Sequence, residues 1–195
     1  LLPQLLDATD LDSLRGLEGA GATAYFSVFE QLILGDSALF QFHTRSRRPP
    51  LDPVNALLSF SYSLLSHDCA WALESVGLDS YVGFLHRDRP GRSSLALDLM
   101  EEFRPCIADR FVLTCINNRI FQKSDFEYRE NGGVFLSESG RRIFLQRWQE
   151  RKKDTMTHPF LGEKVPWGLV PYLQALLLAR YLRNDLDAYP PFLWK

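Results

Sequence analysis

Apolar residues recur along this chain mostly at helical spacing. Between Leu17 and Leu34, the positions Ala22, Tyr25, Phe26, Phe29, Leu32 and Ile33 repeat with a period near 3.6, and Gly35 follows them. That pattern predicts an amphipathic helix. Gln41 to Pro50 is polar and basic, and its Arg-Ser-Arg-Arg-Pro-Pro run cannot be helical. The next block is the clearest. Asp52 suits an N-cap, Pro53 the first turn and Gly77 the C-terminal cap. Between them lie Val54, Leu57, Leu58, Phe60, Leu64, Leu65, Trp71 and Leu73, so this helix is apolar on most sides and belongs at the centre. One strip differs: Asn55, Ser59, Tyr62 and Ser66 fall at helical spacing and are polar. A buried polar strip needs partners, which a neighbouring helix, a wet cleft or a site can supply.

A loop with Gly83, Pro90 and Gly91 leads to a short helix over about Ser93–Phe103, ended by Pro105. Another helix is predicted over Ile107–Ile120. Phe126, Tyr128, Val134 and Leu136 flank Asn131-Gly132-Gly133, a strong hairpin signal. A basic helix follows over about Ser137–Lys153, then a long helix over about Leu169–Asp185. The tail from Tyr189 to Trp194 reads as extended and apolar, so it must pack on something. The sum is an all-α, multi-helix domain over residues 1–195 with one small β-hairpin insertion.

Composition narrows the class. The 195 residues suit one domain, long enough to bury roughly 70% of the unfolded surface. The apolar fraction is 46% and the charged fraction 24%, which excludes disorder, collagen and coiled coil. No apolar run reaches the length of a membrane span, and no signal peptide opens the chain. The chain begins at Leu1 rather than methionine, which points to a cut piece of something longer. Cys69, Cys106 and Cys115 cannot all pair and lack metal-knuckle spacing, so reduced thiols in a cytoplasm are expected. A net charge of −2 rules out a uniformly basic nucleic-acid binder but permits basic patches.

Three constellations can carry chemistry. Asp98 and Glu101 stand three apart on a predicted helix and share a face, and His86 lies in the loop before it. An imidazole with one or two carboxylates makes a shell for a divalent ion. A solvated acidic face with a packed histidine fits the same spacing. The flanking Leu97 and Leu99 half-bury the helix, and a carboxylate there needs a cation or donors. Glu18, between Gly16 and Gly19, sits where backbone approaches closely or where a carboxylate complements a helix dipole. Positive charge clusters at Arg87, Arg89 and Arg92, at Arg45, Arg47 and Arg48, and along the basic helix at Arg141, Arg142, Arg147, Arg151, Lys152 and Lys153. A solvated surface accounts for any single cluster, but three clusters in a chain of net charge −2 mean uneven charge, which suits a polyanion such as DNA. His67 and Cys69 read as core, while His43 and His158 fall in loops with no recognisable partner. No catalytic serine triad, P-loop or dinucleotide fingerprint is visible.

Several stretches resemble one family. They are Arg15-Gly16-Leu17-Glu18-Gly19 with Ala24-Tyr25-Phe26, Arg48 through Phe60, and Gly77-Leu78-Asp79 through Gly83-Phe84-Leu85-His86, together with Pro90 through Pro105 and the terminal Tyr189 through Trp194. Over nearly the whole chain they resemble the CRISPR-associated endonuclease of spacer acquisition, the Cas-one integrase family, most closely its type I-C branch. The resemblance implies a protomer with an N-terminal β-domain that dimerises and a C-terminal helical catalytic domain, of which only the second is present. It implies that Glu18, His86 and Glu101 are the catalytic metal ligands for Mn²⁺ or Mg²⁺. Asp98 supports them from one turn earlier. Many relatives carry aspartate where Glu101 stands.

The implied reaction is metal-assisted cleavage and transesterification of DNA, inserting spacers into a CRISPR array in antiviral defence. The small Cas-two protein and DNA are the implied partners, the full-length protein is a homodimer, and no membrane is involved. Arg87, Arg89 and Arg92 would hold phosphate. Asn55 would be an outer support or substrate contact if the three ligands converge at the N-terminus of the central helix. Convergence requires neighbouring ligand atoms about 3–4 Å apart. Two other classes remain: a non-catalytic helical DNA-binding or assembly module, and an unrelated metal-dependent hydrolase of small phosphate esters.

Overall fold

A computed structural model describes residues 2–36 and 38–194. A short helix α1 (Leu2–Leu6) precedes α2 (Leu11–Ser27), which begins several residues before the apolar period does. Asp10 is the reason: its carboxylate accepts from the Ser13 amide at 2.8 Å and fixes the start. The α2 helix ends at Ser27, and a 3₁₀ turn over Phe29–Leu32 replaces the rest of the predicted helix.

The central helix α3 (Pro53–Ser75) matches its signals. Asp52 caps the Asn55 amide at 2.7 Å, and Gly77 takes φ +83° just beyond the end, where a side chain would be strained. Val54, Leu57, Leu58, Leu65, Cys69 and Leu73 are buried along it, whereas His67 is exposed rather than core. Next comes α4 (Ser94–Glu101), packed on α3. Pro105 does not end the helical path as expected. The chain widens into a π-helical turn over Arg104–Asp109 and re-forms as α5 (Arg110–Asn117). Proline is tolerated there because the first positions of a new helical segment need no N–H partner.

The predicted hairpin pairs β1 (Phe126–Tyr128) with β2 (Val134–Leu136), and Gly132 at φ +76° closes its turn. Helix α6 (Glu138–Lys153) follows, capped by Ser137. A second hairpin, β3 (Thr155–Thr157) with β4 (Lys164–Pro166), corrects the single-hairpin expectation. Strands of three residues are too short to show a period of two. His158 lies in its loop and is buried, with Nδ1 accepting from the Phe160 and Leu161 amides at 3.3 Å each. Finally α7 (Val170–Leu182) packs on α3 and α4. The domain is mostly helical with two small antiparallel hairpins. The extended tail finds its partner just past the end of α4: Tyr189 O–H and the Phe192 amide donate to the Glu102 carboxylate at 2.7 and 2.9 Å. No helix among the described residues is long and apolar enough to cross a membrane.

Candidate metal centre

The loop before α4 folds around one carboxylate. Asp98 Oδ2 accepts from the Phe84 and Leu85 amides at 2.6 and 3.0 Å, and Oδ1 from the His86 amide at 2.9 Å. The His86 ring closes the set, with Nδ1 2.6 Å from Asp98 Oδ1. The Asp98 side chain is 12% exposed and that of His86 17%. Burial works to raise the Asp98 carboxyl, but the hydrogen bonds from the His86 ring and the three amides outweigh it and hold the group below the usual carboxylate range. Gly83 lets the loop come so near: a Cβ there would lie 2.7 Å from Ser94 Cβ and 3.0 Å from Asp98 Oδ2. With Nδ1 committed to Asp98, Nε2 is the imidazole nitrogen left for a ligand. A carboxylate that orients a histidine in this way is the usual support for a metal-ligating imidazole.

The opposite wall is built differently. Glu101 turns both oxygens onto Arg104 Nη1, each at 2.7 Å. Glu18 is exposed on α2 and has no hydrogen-bond or ion-pair partner among the described residues. Two hollows meet at Glu18. One, of about 300 Å³, is lined by Glu18, His86, Arg15, Arg87, Arg89 and Arg92. The other, of about 170 Å³, is lined by Glu18, Glu101, Arg104, Tyr25 and Asp109 among others. Glu18 thus stands between the histidine and the second acid. Among the described residues, however, no three His, Cys, Asp or Glu side chains are gathered closely enough to hold an ion. The expected preassembled trio is corrected: Glu101 is turned onto a guanidinium and Glu18 extends into solvent. The donor set fits a divalent ion in kind, with one committed imidazole, one free carboxylate and one carboxylate whose oxygens each keep a lone pair.

Other expectations shift as well. Asn55 is fully buried. Its amide group is spent inside the protein, accepting from Arg45 Nη1 and the Ser46 amide and donating to the Thr44 carbonyl and Asp52, so it ties the basic connector to α3 and cannot touch substrate. The other members of the polar strip divide. Ser59 accepts from Arg45 Nη2 at 3.1 Å, and Tyr62 donates to Asp109. Arg45 is therefore structural, and burial pulls its pKa down to about 10. Arg87 pairs with Asp12 at 2.6 Å, while Arg89 and Arg92 border the histidine hollow. The α6 cluster is largely neutralised: Arg142, Arg147, Arg151 and Lys152 pair with Glu138, Glu150, Asp154 and Asp68. Reading the sequence did not single out Arg15, Arg104 or Asp109. Arg104, three residues beyond Glu101, and Asp109, an acid after the apolar Ile107 and Ala108, were the available signals.

The family model for "CRISPR associated protein Cas1" matches residues 1–150. The chain belongs to the Cas1 family. It is 61% identical over 188 residues, 96% of its length, to a CRISPR-associated endonuclease Cas1 of Rhodospirillum rubrum, and covers 55% of that relative. The chain spans about half the length of such curated Cas1 relatives. Among solved structures it is similar to a casposase bound to its integration product, with a TM-score of 0.87, 31% identity, and coverage of 96% of this chain and 52% of that one. It is also similar to a chain of a partial Cas6-RT-Cas1–Cas2 complex, with a TM-score of 0.78, 29% identity, and coverage of 96% and 55%.

Proposed function

We propose that this chain is the helical catalytic unit of a type I-C-like Cas1 integrase, acting in the cytoplasm on DNA, and that Glu18, His86 and Glu101 hold its divalent ion. One observation carries the reading. A histidine locked by Asp98 shares a basic hollow with Glu18, and Glu18 also borders the hollow of Glu101. Loading would draw in the two glutamates, of which Glu18 has no hydrogen-bond or ion-pair partner among the described residues. Bound Mn²⁺ or Mg²⁺ would supply a lowered pKa at the attacking oxygen and neutralise charge building on the phosphate.

The rest is done by the chain itself. Asp98 holds the imidazole in one orientation. Arg89 and Arg92, beside His86, are placed to receive phosphate oxygens, and Arg87 joins them if Asp12 releases it. Recognition of this kind is largely blind to base sequence and weakens steeply with salt. The reaction class is phosphodiester cleavage and strand transfer for spacer insertion. The similarity to a casposase with its integration product and to a Cas1–Cas2 assembly supports that class and a small Cas2 partner. Dimerisation belongs to the longer protein.

A branched duplex with Mn²⁺ tests the reading. His86→Ala and Glu101→Ala are expected to abolish cleavage and strand transfer while DNA retention in gel shifts stays near wild type. Unaltered turnover in either variant overturns the ligand assignment. The Glu101–Arg104 pairing favours a second reading, a DNA-binding or assembly module whose acids are structural. Mn²⁺ separates the two, because at a hundredfold excess over Kd an ion bound only by the folded state adds about 2.7 kcal/mol of stability, and a scaffold gains nothing.

A further inference from the structure

The helix that carries Glu18 is lightly held. Of the side chains described on α2, only Phe26 is buried. Besides the Asp12–Arg87 ion pair near its start, two polar ties reach from it to the rest of the site. Arg15 Nε donates to the Leu85 carbonyl at 2.7 Å, next to His86. Tyr25 O–H donates to Asp109 Oδ2 at 2.9 Å. Glu18 lies between them, three residues after the first and seven before the second. Seven residues are nearly two full turns, so Glu18 and Tyr25 share a face of α2 about 10 Å apart.

The second tie continues toward Glu101. Asp109 is 2% exposed, at the end of the π-helical turn that follows α4. Its Oδ1 accepts from Tyr62 O–H on α3. The Tyr62 ring carries the Arg104 guanidinium 4.5 Å from its centroid, and Arg104 Nη1 holds both Glu101 oxygens. An unbroken line of contacts therefore runs from Glu101 through Arg104, Tyr62 and Asp109 to Tyr25, on the helix of Glu18. A carboxylate is an expensive residue to bury. Burial pushes Asp109 upward, against the two tyrosine hydroxyls and the guanidiniums of Arg104 and Arg45. An apolar side chain would fill the same space without that cost but would leave both hydroxyls without an acceptor.

We infer that Tyr25 and Asp109 are positioning residues: their hydrogen bond docks the helix bearing Glu18 against the turn that follows Glu101, and so sets the reach between the two acids. The inference rests on the metal reading above. It makes Tyr62, one of the polar strip on α3, the hub through which both acids are referred to the central helix.

Mn²⁺ binding to this chain, followed by the electron paramagnetic resonance signal of the free ion, is the test. Tyr25→Phe removes one oxygen atom and keeps the ring packing. It is expected to weaken Mn²⁺ about tenfold, the effect usual for a residue that orients a ligand. The melting temperature without metal should fall by only a few degrees. In a Glu18→Gln background, which keeps an oxygen donor, Tyr25→Phe is expected to change affinity less than twofold, because it acts through Glu18. Wild-type affinity in Tyr25→Phe, or an equal loss in both backgrounds, overturns the positioning role and leaves the metal site standing. Absence of Mn²⁺ binding in the unaltered chain overturns both.

Discussion

The two walls of the site are built on opposite principles. On the histidine side, Asp98 accepts from three backbone amides and the His86 ring, so loop, imidazole and helix form one fixed unit. On the glutamate side, Glu18 has no hydrogen-bond or ion-pair partner among the described residues, and Glu101 is held by a cation from its own chain segment. The first wall is organised before any ligand arrives. The second is organised through helices, with the carboxylates left to rotate. The difference shows where rigidity has been placed: in the imidazole, which has few rotamers, and in the backbones under the acids, not in the acids themselves. Arg104 satisfies Glu101 with positive charge; under the proposed metal reading it would keep the place of the ion.

The comparison breaks most severely if its rigid half is removed. Asp98→Ala deprives three amides and an imidazole of their acceptor and should cost about 3 kcal/mol in urea unfolding, the upper range for bonds to a charged group. A loss under about 1 kcal/mol would show that the loop holds itself. Gly83→Ala attacks the same wall sterically. Its added carbon would meet Ser94 at 2.7 Å, and a destabilisation of about 2 kcal/mol is expected, with reduced Mn²⁺ affinity. Glu18→Ala sharpens the contrast from the other side. Stability without metal should move by less than about 0.5 kcal/mol, because the exposed side chain has no hydrogen-bond or ion-pair partner among the described residues, yet Mn²⁺-dependent cleavage should disappear. A large stability loss there would mean that Glu18 is structural.

The smallest effect concerns the cysteines. Burial pushes Cys106 up to about 11 and Cys115 up to about 12, and raises Cys69 as well. With their thiols neutral and buried, none should react with a disulfide reagent at pH 8 in the native state.

Much of this architecture was readable in advance. Asp52, Pro53 and Gly77 delimit α3 because capping is a local event, and Asn-Gly-Gly marks the first hairpin for the same reason. The second hairpin was not readable: Thr-Met-Thr and Lys-Val-Pro are too short to carry a period. The polar strip on α3 was visible, but its partners come from the connector at Arg45 and the turn at Asp109, which only the fold brings near. At the site, spacing placed Asp98 and Glu101 on one face. It could not show that Asp98 spends its oxygens on the His86 loop while Glu101 spends its own on Arg104, since both fates are equally compatible with an i,i+3 pair.

The most direct measurement is anomalous diffraction from crystals of this chain soaked in Mn²⁺. The account predicts one strong peak bounded by Glu18, His86 Nε2 and Glu101, with Arg104 released from Glu101 and Asp98 still on His86 Nδ1. Crystals with no peak between those three side chains, and with Glu101 still closed on Arg104, would contradict it.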